Sequence, residues 1–149
     1  MEASFGRILV AFDGSEDSVK AARLACSLAK KYGSKVTVAH VYSFASFAYG
    51  GATPMPVPDL QPLEEAAKTK GLAVLNRGLA VAKECGADAE GELIEAPSIV
   101  QALVEYASKE KVDLIVVGTR GMTGFRKLII GSVSSGLAGH AECPVLVVR

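Results

Sequence analysis

The sequence predicts one α/β domain, residues 1–149, in which helices cover both faces of a mostly parallel five-stranded sheet, giving three layers. Five short apolar segments alternate with helix-length amphipathic segments along the 149 residues, the pattern of consecutive βαβ units. Two of these segments consist almost wholly of β-branched residues and leucine, as in parallel strands that are covered on both faces. Half of the residues are hydrophobic, and they supply the core of one domain of ordinary size.

The first βαβ unit opens the chain. Arg7 to Phe12 reads RILVAF and predicts a strand, which Asp13-Gly14-Ser15 ends with turn and helix-cap residues. A helix is predicted from Glu16 to Tyr32, with Gly33 as its C-terminal cap. Lys35 to Tyr42 predicts the second strand. The apolar residues predicted to face inward from the helix are Ala21, Leu24, Ala25, Leu28 and Tyr32.

The middle of the chain begins with a flexible loop. Ser43 to Pro62 contains four prolines and two adjacent glycines, so we expect an exposed excursion without regular structure. Leu63 to Cys85 then predicts a helix whose glycines allow close approach, and Ala87 to Glu95 predicts an edge strand interrupted by acidic residues.

The last third predicts two helices and two buried strands. A helix opens at Pro97 or Ser98 and continues to about Lys111, with Ile99, Leu103 and Tyr106 facing inward. Strands are predicted at Asp113 to Gly118 and at Pro144 to Val148. Between them lie a glycine-rich loop and a short helix that begins near Ser132.

Composition excludes several classes of protein. The 16 basic residues balance the 16 acidic ones, so neither nucleic acid nor an anionic membrane is expected to be bound through net charge. No apolar run approaches the ~20 residues of a membrane-spanning helix, and the N-terminus has no signal-peptide pattern. The three cysteines lie far apart in the sequence and predict neither a disulfide scaffold nor a zinc site. We therefore expect a cytoplasmic protein.

The segment from Gly118 to Ser135 carries the chemistry. It leaves a strand with glycines at 118, 121 and 124 and reaches Gly131-Ser132 where a helix begins, so backbone amides and a helix N-terminus can converge on a phosphate. Arg120, Arg126 and Lys127 give this stretch a local positive charge. The alternatives are that the glycines make turns, that Ser132 is an ordinary cap and that the basic residues form a solvated face.

Two common nucleotide motifs are missing. The glycine-rich segment has no Walker A pattern, and Asp-Gly-Ser stands where a Rossmann fingerprint would follow the first strand. Asp13 ends that first strand and is a candidate contact to a nucleotide or a hydrated metal, the alternative being an Asx turn or helix cap with Ser15. His40 and His140 are interpreted as core or capping residues, because no nucleophile or metal ligand stands at a telling spacing from either.

The chain resembles the universal stress protein family, in its ATP-binding subgroup. That family's motif, G-x2-G-x9-G-[ST], is matched by Gly118, Gly121, Gly131 and Ser132, and the opening ILVAFDGSEDS and the ending CPVLVVR are also similar. The resemblance implies an adenine nucleotide alpha-hydrolase-like sheet ordered 3-2-1-4-5, with ATP across the carboxyl ends of strands one and four. It places Ala11, Asp13 and Val41 at the adenine, Gly118 and Gly121 at the ribose and inner phosphates, and Gly131, Ser132, Val133 and Ser134 at the outer phosphates.

The function predicted from these observations is a stress-response regulator that binds ATP, with Mg²⁺ on the phosphates, and acts as a dimeric sensor. No catalytic residue is identified. A slow ATPase or phosphotransferase and a nucleotide-independent interaction module remain alternatives, and AMP or cyclic AMP would fit the same cleft. The resemblance implies a homodimer, and the apolar strand that ends in Val145 to Arg149 is the predicted edge through which two copies pair.

Overall fold

The computed structural model describes residues 4–44, 60–119 and 130–149. Within these ranges strands and helices alternate, as predicted, from the first strand to the last. The elements are β1 (Arg7–Ala11), α1 (Glu16–Tyr32), β2 (Lys35–Tyr42), α2 (Gln61–Glu84), β3 (Ala89–Glu95), α3 (Ile99–Lys109), β4 (Leu114–Gly118), α4 (Ser132–His140) and β5 (Val145–Val148).

The five strands form one sheet in the order β3-β2-β1-β4-β5. Every pairing between neighbours in it is parallel, so the predicted fold class and the strand order implied by the resemblance are confirmed. The order reverses at β1, which pairs with β2 on one side and β4 on the other. That reversal makes a topological switch point, and open α/β sheets bind ligands in the crevice beyond the carboxyl ends of the strands at such a point.

Each face of the sheet carries its own core. Ile8 and Val10 of β1 pack with the residues of α1 and α2, whereas Leu9 and Ala11 pack with those of α3 and α4. This is the alternation that a strand covered on both faces requires. All five residues of β4 are buried, while the four of edge strand β5 are half-buried.

Helix α1 has the predicted bounds, but only part of its predicted inward face is buried. The Ser15 hydroxyl caps its first turn by accepting from the Ser18 amide, and Gly33 ends it in the left-handed region at φ 67°. Leu24 and Tyr32, predicted to face inward, are 38% and 45% exposed. The residues buried against the sheet are small, and they include the predicted Ala21 and Ala25: Ala21, Ala22, Ala25, Cys26 and Ala29.

The predicted inward face of α3 is also partly wrong, because Ile99 was predicted to face inward and is 43% exposed. The buried residues of that helix are Ala102, Leu103 and Ala107.

Helix α2 begins at Gln61, inside the predicted loop, since Pro62 is tolerated in a first helical turn. Most of that loop, residues 45–59, lies outside the described residues. None of the helices in the described ranges has the length and apolar character to cross a bilayer.

Gly78 provides a test of how closely α2 packs on the sheet. A Cβ added there would lie 2.8 Å from Val38 Cγ1 and 3.0 Å from the Phe12 ring. Alanine improves helix propensity by about 1 kcal/mol, whereas overpacking a core costs about 1–3 kcal/mol. Because the two effects oppose each other, we expect Gly78→Ala to lower the free energy of unfolding by up to about 2 kcal/mol in urea titrations.

The matched control is Gly139→Ala, also in a helix, where an added Cβ meets nothing within 4 Å. This variant should be neutral or slightly more stable than the wild type. Equal stabilisation by both substitutions would contradict the close packing of α2.

Candidate functional site

The residues predicted to hold adenine lie together at the switch point. Ala11 is the last residue of β1 and stands opposite Val117 of β4. Val41 lies near the end of β2 and belongs with Ala11 to the core between the sheet and helices α3 and α4. Asp13 follows β1 directly beyond Phe12 and is half-buried. Two apolar side chains and one carboxylate thus lie at or just beyond the carboxyl ends of β1 and β2.

Asp13 has a structural role in the turn between β1 and α1. Its Oδ1 accepts a hydrogen bond of 2.9 Å from the Ser15 amide, which is the Asx turn considered above as the alternative. The turn fixes the carboxylate just beyond the carboxyl end of β1. Its contact with a nucleotide stays a prediction.

Thr119, the residue after β4, joins three elements. Its Oγ1 donates to Asp17 Oδ2 of α1 at 2.8 Å in a buried bond, and its amide donates to the Val148 carbonyl of β5 at 2.9 Å. Its carbonyl oxygen accepts from the Gly131 amide at 2.6 Å, at the start of α4. The two ends of the glycine-rich segment are therefore bonded to each other.

Gly118 has a packing role that the motif did not reveal. A Cβ at this position would lie 2.7 Å from Asp17 Cβ and 2.8 Å from the Asp17 carbonyl carbon. Backbone atoms cannot yield as a flexible side chain can, so a larger residue would push α1 away from β4. The glycine lets the first turn of α1 approach closely enough for Asp17 to reach Thr119. Its predicted contact with the ribose is a separate proposal.

The start of α4 is a helix N-terminus without a side-chain cap among the described residues. Gly131 is the N-cap with φ −60° and ψ 162°, a conformation open to any residue. The first helical bond runs from the Ser135 amide to the Gly131 carbonyl at 2.9 Å. The amides of Ser132, Val133 and Ser134 precede that bond and form the positive end of the helix dipole.

Two of the predicted phosphate donors already have partners within the protein. The Gly131 amide donates to Thr119, and the Ser134 hydroxyl, which is 1% exposed, donates to the Gly131 carbonyl at 3.0 Å. Ser132 is exposed and Val133 is half-buried. Among the described residues at the start of α4, the donors left for an anion are the first-turn amides and the Ser132 hydroxyl.

The remaining predicted site residues cannot be placed. Arg120, Gly121, Arg126 and Lys127 lie outside the described residues. Across the ranges that the structure does describe, no three His, Cys, Asp or Glu side chains are grouped as a metal site requires.

Sequence reasoning missed several polar residues beside the crevice. Asp17 and Thr119 were not singled out, although each lies next to a strand end or helix start where a buried polar pair is common. Arg77 of α2 reaches the β1–α1 turn, with its Nη2 donating to the Gly14 carbonyl at 3.5 Å. Both histidines bond backbone carbonyls through Nδ1, His40 to Phe12 at 2.8 Å and His140 to Gly136 at 2.9 Å, in keeping with their capping interpretation.

Comparison with known proteins gives a consistent result. A sequence model of the universal stress protein family matches residues 4–149. A universal stress protein of Methanocaldococcus jannaschii is 32% identical over 149 residues, which cover 99% of this chain and 84% of that protein.

Two solved structures are similar in fold over nearly their whole length. A universal stress protein in complex with cAMP has a TM-score of 0.73 and 26% identity, covering 98% of both chains. A universal stress protein from Archaeoglobus fulgidus in complex with dAMP has a TM-score of 0.70 and 20% identity, covering 99% of this chain and all of that one.

The bond between Thr119 and Asp17 is testable by removing its donor. In Thr119→Val the methyl groups fill a similar volume, but a buried carboxylate loses a hydrogen bond. We expect the free energy of unfolding to fall by about 1–3 kcal/mol in denaturant titrations. Thr119→Ser keeps the hydroxyl and should lose clearly less. A Thr119→Val variant that is as stable as the wild type, or that loses no more stability than Thr119→Ser, would contradict a stabilising role for the hydrogen bond.

Proposed function

Because the chain belongs to the universal stress protein family, we propose that it is a regulatory protein whose switch-point crevice binds an adenine nucleotide, ATP with Mg²⁺. The observation that carries the proposal is the N-terminus of α4, which lies beside the end of β4 through the bond from Gly131 to Thr119. Helix N-termini of this kind bind phosphate. We expect the protein to act in the cytoplasm in a response to stress.

The ligands of the two similar structures support the adenine end of the proposal. Both cAMP and dAMP contain adenine, a sugar and one phosphate. The choice of ATP for this chain rests on its own motif, Gly118, Gly121, Gly131 and Ser132. The long spacing of that motif supplies donors for more than one phosphate, and AMP and cyclic AMP are the competing ligands.

The residues at the crevice fit such a ligand. Ala11 and Val41 would pack against the adenine, while Asp13 would accept a hydrogen bond from its polar edge. The amides of Ser132, Val133 and Ser134 would bind the outer phosphates, with Gly118 and Gly121 beside the ribose and inner phosphates. Arg120, Arg126 and Lys127 would offset the phosphate charge.

Magnesium also suits this set of donors. Mg²⁺ bound to a nucleotide takes most of its oxygen ligands from phosphates and water, and the protein supplies one or two carboxylates at most. A water-mediated contact from Asp13 to the Mg²⁺ is the alternative to its proposed hydrogen bond with the adenine. The bound ion would offset negative charge on the phosphates, and the protein would hold the complex in one orientation.

We propose binding as the function, with the bound nucleotide favouring one state of a dimer. Slow hydrolysis of ATP is the alternative activity, and release of phosphate distinguishes it from binding alone. A module that acts without nucleotide is the other alternative.

The dimer would form through β5. Within the described part of the chain, β5 has a paired strand on one side alone, β4. Its four residues, Val145 to Val148, are apolar and half-buried. An apolar edge strand of this kind pairs readily with a second copy across a twofold axis, which closes the assembly as a dimer.

Gly131→Val tests the nucleotide site. The φ and ψ of Gly131 suit valine, so folding should persist, while a β-branched side chain at the start of α4 should block the phosphates. We expect ATP binding in titration calorimetry to be abolished and the melting temperature without nucleotide to change little.

Gly139→Val is the matched control, because it places the same side chain at the far end of the same helix with nothing within 4 Å of its Cβ. It should bind ATP like the wild type. A folded Gly131→Val protein with unchanged ATP affinity would refute the proposed site, and phosphate release measured in the same samples would identify an ATPase.

Val147→Lys tests the dimer. A lysine on β5 places charge at the proposed edge, so light scattering should show a mass near the 15.5 kDa of one chain, where the wild type shows twice that value. Circular dichroism is needed to verify that the variant is folded. Leu72→Lys, which replaces a residue of α2 that is 40% exposed, should remain dimeric. A wild-type protein that is monomeric at micromolar concentration would contradict the proposal.

A further inference from the structure

Strand β3 forms one edge of the sheet. Among the described residues it pairs with β2 alone, and none of its seven residues is buried. Its sequence, AEGELIE, carries carboxylates at Glu90, Glu92 and Glu95. The strand at the opposite edge, β5, is wholly apolar. The two edges of the sheet therefore suit partners of different chemistry.

The backbone of β3 presents hydrogen-bonding groups along its open side. In a parallel strand the amide and carbonyl of one residue point to the same side, and successive residues alternate between the two sides. The Ala96 amide, directly after β3, donates to the Tyr42 carbonyl of β2 at 3.0 Å. By this alternation Gly91, Leu93 and Glu95 direct their amides and carbonyls away from β2. A further strand could pair with these groups.

A groove flanks β3 on the face of the sheet that α3 covers, and we call it the α3 groove. Its volume is about 430 Å³, within the range of clefts that bind ligands. Apolar residues line it, among them Ile94 and Ala102, together with the half-buried Tyr106. Glu92 of β3 and Glu105 of α3 line it as well. The α3 groove thus combines apolar surface with negative charge.

A second cavity of about 430 Å³ lies on the other face of the sheet, between the end of β3 and the start of α2. Its lining includes Tyr42, Glu64 and Glu65. Glu95, the last residue of β3, lines both cavities. A compact cation would occupy one cavity, whereas the side chains of an extended chain alternate between the two faces of a sheet and enter both. This favours a peptide strand as the occupant.

Negative charge predominates around the α3 groove. Glu92, Glu95 and Glu105 form no ion pair within the described ranges. Glu95 accepts a hydrogen bond from a backbone amide, and Glu105 accepts one from the Gln101 side chain at 3.0 Å, so both of these donors are neutral. Lys109 also lines the groove and offsets part of the charge. The carboxylates that remain are complementary to a basic ligand.

We propose that β3 is a docking edge for a basic, extended peptide segment of a partner protein, which adds to the sheet as a further strand. Backbone hydrogen bonds to the open side of β3 provide the affinity. Lysine or arginine side chains beside Glu92, Glu95 and Glu105 select the sequence, and a small apolar side chain packs on Ile94. The proposal is independent of nucleotide binding and of the β5 dimer.

The test uses a fluorescent peptide with blocked ends, in which lysine and valine alternate with threonine. Its binding to the folded wild-type protein is measured by fluorescence anisotropy at low ionic strength. We expect saturable binding that weakens as salt is added. The same peptide with glutamate in place of lysine should not bind.

Matched variants test the charges of the α3 groove. Glu92→Gln combined with Glu105→Gln removes two carboxylates and should weaken binding of the lysine peptide by about 3- to 10-fold. The control is Glu84→Gln, which removes an exposed carboxylate of α2 that lines neither cavity. This control should bind the peptide like the wild type. Circular dichroism verifies that each variant is folded.

Methylation of the peptide backbone distinguishes strand pairing from attraction by charge alone. Only alternate amides of an added strand face β3. Methylating one alternating set of amides should therefore abolish binding, while methylating the other set should preserve it. In NMR titrations with the unmodified peptide, the amide resonances of Gly91, Leu93 and Glu95 should shift.

Three results would overturn the proposal. The first is that the lysine peptide does not bind the wild-type protein. The second is that the variant lacking the carboxylates of Glu92 and Glu105 binds it as tightly as the Glu84→Gln control. The third is that both methylated peptides bind as well as the unmodified one, which would show attraction by charge without strand pairing.

Discussion

The architecture at the switch point depends on the hydrogen bonds of one residue, Thr119. Its hydroxyl bonds Asp17 at the start of α1, its amide bonds β5, and its carbonyl accepts from Gly131 at the start of α4. These bonds require α1 to lie against β4 without an intervening side chain, which Gly118 permits. The bonds thereby hold three elements in one arrangement. These are β5 at the edge of the sheet, α1 on one face and the N-terminus of α4 on the other face.

Much of the fold followed from the sequence because each element has a strong local signal. The bounds of α1 and β2 were predicted to the residue, and the parallel sheet followed from the alternation of elements. The inward faces of α1 and α3 were partly wrong, since Leu24, Tyr32 and Ile99 are exposed. Hydrophobicity alone favours large residues for an inward face, whereas a helix packed closely on a sheet buries its small ones.

The sequence could indicate candidate site residues that lie at strand ends or in a spaced motif. It could not indicate contacts between residues of separate elements. The family resemblance implied Ala11, Asp13 and Val41, and its spaced motif implied Gly131. The structure has Ala11 and Val41 near the ends of β1 and β2, and Gly131 at the start of α4. The bond of Thr119 to Asp17 and the bond of Arg77 to the Gly14 carbonyl join residues from separate elements. No periodicity or motif encodes such pairs, because they arise when the helices pack.

We propose that this arrangement holds an adenine nucleotide. The most direct measurement is mass spectrometry of the small molecules released when the purified protein is denatured, before and after incubation with ATP and Mg²⁺ and removal of the excess. The account predicts ATP, released intact and in equimolar amount with the chain. Release of no adenine nucleotide in either sample, from protein shown to be folded, would contradict it.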